Sequence, residues 1–145
     1  MSMSLRRLIV DDVVKTLKTI TSPKLGKVST KPEDYSRLAR TAYPFVEVII
    51  TGEDKEDIAV GRRLSTLTVD ITVHLDGKSK TAKTEQQLAS IIEAVEEQLE
   101  KDRTRGNNAL LTELLTVGKA DASGFPTVSQ TMSVGIQYTY LTGNT

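Results

Sequence analysis

Few residues in this 145-residue chain are placed to do chemistry. The single histidine, His74, shares a two-residue alternation with Asp70, so both side chains belong to one face of an extended strand. A His–Asp couple would suit acid–base catalysis. Residues four apart on a strand, however, stand about 13 Å from each other, too far for a proton to pass. There is no cysteine and no G-x-S-x-G turn to supply a nucleophile. The expectation is a surface or interface histidine, and a protein that is not an enzyme.

A second cluster is GEDKEDIAVG, residues 52–61, which holds Glu53, Asp54, Glu56 and Asp57 within five positions. Such carboxylates can gather a divalent cation, but a calcium loop needs oxygens at fixed alternating positions around a central glycine. That pattern is missing, so the segment reads as a solvated hairpin connection without metal. Gly61 and Gly77 stand alone and form no phosphate-cradling loop. Aromatic residues do not interleave with basic ones, as single-stranded nucleic acid would require. No cofactor is expected. The third cluster is basic: residues 22–41 carry Lys24, Lys27, Lys31, Arg37 and Arg40 against Glu33 and Asp34. With Pro23, Gly26 and Pro32 and no periodicity, this stretch reads as a long exposed loop or arm, and loops of that length usually serve a contact.

Composition bounds the rest. The length fits one domain, residues 1–145, with room for a core. Nineteen acids balance nineteen Lys plus Arg, so no global field draws the chain to nucleic acid or an anionic membrane. No stretch approaches 18 uncharged apolar residues and the N-terminus lacks a signal-peptide apolar run, so no membrane is expected and the place of synthesis is the cytoplasm. With two Phe and no Trp, the core must be aliphatic.

The elements that would position these clusters follow from periodicity. Arg63 to Asp76 alternates strictly, with Leu67, Val69, Ile71, Val73 and Leu75 on one side and Thr66, Thr68, Asp70, Thr72 and His74 on the other. This is a long strand with one dry face. Thr127 to Leu141 repeats the pattern, with Gly135 as a bend or bulge. Tyr43 to Thr51 is a third strand, apolar on both faces, as for a strand that is central or packs on another subunit. Residues 4–20 place Leu5, Leu8, Ile9, Val13, Leu17 and Ile20 on one helical stripe behind an N-cap at Ser4. Thr84 to Gln87 has the form of a capping box, and Leu88, Ile91, Ile92, Val95 and Leu99 continue it as a helix to about Lys101. Residues 107–117 are ambiguous, a helical turn that becomes a strand near Leu115. The sum is an α+β domain of two layers, a mainly antiparallel sheet with both helices on one face. The other face would be polar and almost uncharged, suited to water or to another protein.

The succession of an N-terminal helix, the strand PFVEVIIT ending in GED, the strand LSTLTVDITVHLD, the helix TEQQLASIIEAVEEQLEKD, LLTELLTV and the strand TVSQTMSVGIQYTYLT resembles the tail terminator and tail-completion (minor tail) proteins of tailed bacteriophages. The resemblance covers nearly the whole chain and consists of element order and length, with no diagnostic motif. It implies a virion structural protein: a hexameric ring that caps the tail tube, ends polymerisation of the tube protein and meets the head-side connector. It would be assembled in the host cytoplasm, and DNA would pass through the ring without being read. Ring closure needs two unlike patches. The expected pair is basic, Lys24, Lys27, Lys31 and Arg37, against acidic, Glu53, Asp54, Glu56 and Asp57 or else the glutamate side of the helix at 85–101, with charge setting register more than affinity. Two other readings stay open: another head–tail joining protein of the neck, or a dimeric small-ligand-binding regulatory domain, which would need a concave pocket with convergent polar groups.

Overall fold

The alternation of the long central strand organises the fold, here seen in a computed structural model that describes residues 4–21, 25–30, 44–76, 81–120 and 127–141. Strand β3, Arg62–Asp76, lies in the middle of a five-stranded sheet ordered β1-β2-β3-β5-β4. Its neighbours are β2, Phe45–Ala59, and β5, Thr127–Leu141, both antiparallel to it. Strand β4, Leu111–Val117, is antiparallel to β5, and the short β1, Lys27–Ser29, is parallel to β2. Leu67, Val69, Ile71 and Val73 are fully buried on one face, opposite Ile136, Val134 and Met132 of β5. Helices α1, Leu5–Lys18, and α2, Thr81–Lys101, cover that face through Ile9, Val13 and Leu17 and through Leu88, Ile91, Val95 and Leu99. Each such side chain removed from water contributes about 1.5–3 kcal/mol. The α+β reading, with both helices on one side, is what the chain adopts.

Local chemistry explains the element ends. Ser4 caps α1, its Oγ accepting from the Arg7 amide at 3.2 Å. The helix α2 is already formed at Thr81, so Thr84 lies inside it and the expected capping box is not its start. Once nucleated, a helix extends one turn backwards at little cost when no glycine or proline intervenes, and none stands between Lys78 and Lys83. After α2 the backbone turns through Arg105, Gly106 and Asn107, all at positive φ (50°, 67° and 68°). Three left-handed residues in succession cannot continue a helix, which excludes a helical start to the following segment. The strand then begins at Leu111, four residues before the expected Leu115.

The largest departure is the acidic segment. Residues 52–59 are not a loop: β2 continues through them to Ala59 and a two-residue turn, Val60-Gly61, closes the hairpin. The pairing partner is the long alternating β3, which pairs with β2 as far as Ala59, with one register slip just before that residue, between Asp57 and Ala59, and charged side chains are tolerated because this half of β2 is exposed. Gly61, at φ 77°, supplies the left-handed turn residue. The register slips between Ile50 and Gly52, so Thr51 is an extra residue in β2. Before this bulge Val46, Val48 and Ile50 share the helix-covered side with β3's Val73, Ile71 and Val69. After it, Glu53, Lys55 and Asp57 take that side and Asp54 and Glu56 the other. Gly135, by contrast, sits in unbroken pairing. The slip in that pair of strands is in β4, and Gly135 makes room for the Leu115 side chain instead.

Candidate functional site

Of the four basic residues expected at a subunit contact, Lys24, Lys31 and Arg37 lie outside the described residues. Lys27 opens β1, exposed, with its ammonium 6.0 Å from the centroid of the Phe45 ring. The four acids are sorted by the bulge. Asp57 pairs with Arg63 directly across the hairpin, Oδ1 to Nε 2.8 Å. Glu53 turns under α1, where Arg6 Nη2 donates to Oε2 at 2.5 Å and Tyr138 Oη donates to Oε1 at 2.5 Å. Asp54 and Glu56 are exposed on the opposite face, with no ion pair or hydrogen bond from a described residue. The structure thus separates the cluster into two acids held within the subunit and two available outside it.

Around Glu53 the hairpin, α1 and β5 build a polar junction. Burial by itself would raise the Glu53 pKa. The hydrogen bonds from Arg6 and Tyr138 outweigh it and hold the carboxyl at about 2, against an ordinary 4.5. Ser65 Oγ, buried directly opposite Tyr138, lies close enough to add to that field yet makes no hydrogen bond of good geometry. Burial, reinforced by Glu53, raises the Tyr138 hydroxyl. Lys55 Nζ donates to Tyr140 Oη at 3.0 Å and lies 5.2 Å from the centroid of that ring, which stacks on Tyr138 at 5.9 Å. Ser4, Leu5, Arg6, Lys55, Tyr138 and Tyr140 line a shallow, open cleft of about 250 Å³. Two cations and two aromatic faces can grip an extended partner segment. No nucleophile stands beside a base in it.

His74 does not act with Asp70. Asp70 Oδ1 accepts from Ser133 Oγ at 2.7 Å across β3 and β5. His74, expected at the surface, is buried, its Nε2 2.6 Å from Glu47 Oε1 and its ring 5.7 Å from that of Phe45. On β2, Phe45 stands directly across from His74 and Glu47 is its diagonal neighbour. Burial lowers the histidine pKa below 6.5, with Glu47 opposing the shift.

Nothing in the sequence marks Arg105 as an anchor beyond its place at a helix C-terminus, where a cation is favoured. It is fully buried, its guanidinium 3.3 Å from Asp12 of α1 and donating to the carbonyl oxygens of Leu99 (2.5 Å) and Asp102. It closes the end of α2 and ties it to α1. Among the described residues no group of three or more His, Asp or Glu side chains could hold a metal, and no helix is long and apolar enough to cross a membrane.

The two sides of the sheet end differently. Strand β1 covers β2 only from Phe45 to Glu47, so among the described residues no strand pairs with the outer edge from Ile49 to Ala59. At the other end, among the described residues, β4 has a neighbour only in β5. The large exposed apolar residues gather at these edges: Ile50, Ile58 and Val60 on the hairpin, and Leu110, Leu115 and Val117 on or beside β4. No protein-family model matches this chain, and no curated protein matches it in sequence.

Proposed function

We propose that this chain is a structural assembly protein of a tailed bacteriophage, a tail terminator that closes as a ring on the tail tube, ends tube polymerisation and joins tail to head. The observation that carries the reading is a single sheet with two unlike edges at opposite ends that no described strand covers in full, each bearing exposed apolar residues. A chain with one sticky edge forms symmetric dimers; a chain with two unlike edges forms head-to-tail rings or filaments. The order of elements, which resembles the terminator family, selects the ring. The sheet face away from the helices supports an assembly role as well. It is lined by Thr66, Thr68, Thr72, Ser129, Thr131, Ser133 and Gln137, with cross-strand hydrogen bonds such as Thr72 to Thr131 at 2.9 Å. A face of this kind is rigid and hydrogen-bonded, with Asp70 tied to Ser133 and the open charges Asp54 and Glu56 on the hairpin, fit to meet a protein surface. The partners in this reading are further copies of the chain, the tail tube protein and the head-side connector. The functional location is the virion tail.

Native mass across a concentration series, with negative-stain images of the largest species, tests the reading. A species of about six times 15.9 kDa with a central hole, which then caps purified tail tubes, is expected. A stable dimer that ignores tubes overturns it and favours the regulatory-domain reading. A ring that binds the connector and ignores the tube assigns the chain to the neck instead.

A further inference from the structure

The two free edges of the sheet are complementary in direction, apolar content and charge. Strands β2, β3, β5 and β4 run alternately up and down, so β2 and β4 are antiparallel to one another. Copies related by rotation about an axis along the strands therefore bring β4 of one copy antiparallel to β2 of the next, without inverting either. The free stretch of β2, Ile49 to Ala59, is long enough to receive all seven residues of β4.

The side chains agree with that pairing. The β2 edge presents Ile50, Ile58 and Val60 together with the unpartnered acids Asp54 and Glu56. The β4 edge presents Leu110, Leu115 and Val117. Two exposed cations without a partner among the described residues stand at its ends. Arg103 is held there by its carbonyl, which accepts from Thr112 Oγ1 at 2.9 Å, and Lys119 follows just past Val117. Glu113 is the one acid on β4. The cations of the hairpin are already engaged, Lys55 with Tyr140, Arg62 with Thr139 and Arg63 with Asp57. Charge also argues against the symmetric alternative. Two β2 edges brought together would set Asp54 and Glu56 against the same acids, and like charges across a strand pair are destabilising. Edge strands are ordinarily blunted by Lys or Pro. Strand β4, LTELLTV, contains neither.

We propose that β4 of one copy pairs with the outer edge of β2 in the next, so that the sheet continues across the subunit boundary with Asp54 and Glu56 toward Lys119 at the C-terminal end of β4. This deepens the ring reading and rests on it. It assigns the outward half of the acidic cluster a partner on the same chain, at the far edge of the sheet.

The chain has no cysteine, so introduced ones report cleanly. Glu56→Cys and Thr116→Cys, both at exposed positions, are made singly and together and treated with a short bismaleimide, while the native mass of the unmodified protein is measured in parallel. The double variant is expected to give a ladder of covalent multimers. Mixed single variants should give one heterodimer band, and each single variant alone none. A ring without a ladder overturns the edge pairing and leaves the ring reading standing; a monomer with no cross-link overturns both. Strong dimer bands from one single variant alone mean symmetric pairing and also overturn the proposal. As a second measure, Asp54→Lys with Glu56→Lys should weaken self-association about threefold to tenfold, the effect of one to two exposed ion pairs. Adding Lys119→Glu should restore it, and adding Arg103→Glu instead should not. Failure of the Lys119→Glu triple variant to recover, with its fold intact by circular dichroism, refutes the charge assignment.

Discussion

Glu53→Gln removes the charge at the junction of hairpin, α1 and β5 while keeping the side chain's shape. The Glu53 side chain is 12% exposed, and its two oxygens are held by Arg6 and Tyr138. Burial alone would raise its pKa, but these hydrogen bonds bring it to about 2 from 4.5. A carboxyl depressed in the folded state gives stability that is complete above its unfolded value of 4.5 and is lost as pH falls through about 2. Unscreened, that difference corresponds to about 3 kcal/mol. Arg6 is 47% exposed, so water screens the pair and about 1–2 kcal/mol is the expected share. With a urea m-value of about 1–3 kcal/mol/M, the Gln variant should unfold at pH 7 at a midpoint lower by about 0.5–1 M. Urea titrations of both proteins, followed by far-ultraviolet circular dichroism at half-unit steps from pH 7 to pH 2, provide the assay. The gap between the two midpoints should hold down to about pH 5 and close toward pH 2. Equal midpoints at pH 7, or a gap that persists unchanged at pH 2, would refute the reasoning.

The remaining expectations concern groups that hold the scaffold. Arg105→Met should cost about 3–5 kcal/mol in urea unfolding, because it leaves Asp12 without its cation and the carbonyls of Leu99 and Asp102 without a donor; a loss under about 1 kcal/mol would show that the guanidinium is not what closes α2. His74, whose folded pKa lies below 6.5, makes the unfolded chain the better proton acceptor. Stability should therefore be complete above pH 6.5 and decline as pH falls below it, and His74→Gln should flatten that decline between pH 7 and pH 5. Parallel slopes for the two proteins would count against a buried neutral histidine.

The sequence was most legible where one periodicity ran unbroken. Leu67 to Leu75 and Met132 to Tyr138 show their buried face at every second residue, and both strands lie where the alternation puts them. The apolar stripes of both helices were equally plain, because three- and four-residue spacings admit no other regular structure. Legibility failed where two rules competed within a few residues. In residues 52–59, glycine and charge argue for a loop, and only the partner strand, distant in sequence, argues for β structure; tertiary pairing won. His74 failed for a related reason. Its own strand marks it as a polar-face residue, and the residues it meets, Phe45 and Glu47, belong to another strand whose register no local pattern states. Arg105 could be placed at a helix end, but not buried there, since its burial depends on how α1 crosses α2.

One residue decides what the acidic cluster does. Ile50 is on the helix-covered side, and unbroken alternation would place Gly52, Asp54 and Glu56 there too, with Glu53 and Asp57 outward. Two carboxylates would then lie near α1, with Asp54 rather than Lys55 opposite Ser65. The extra residue at Thr51 reverses the assignment. Glu53 meets Arg6 and Tyr138, Asp57 meets Arg63, and Asp54 with Glu56 project from a strand edge that no described strand covers. The same insertion that anchors the hairpin to its own subunit thereby leaves half the charge for another. A cluster that reads in sequence as four equivalent acids is, in the fold, two acids that hold the arm and two that it carries outward.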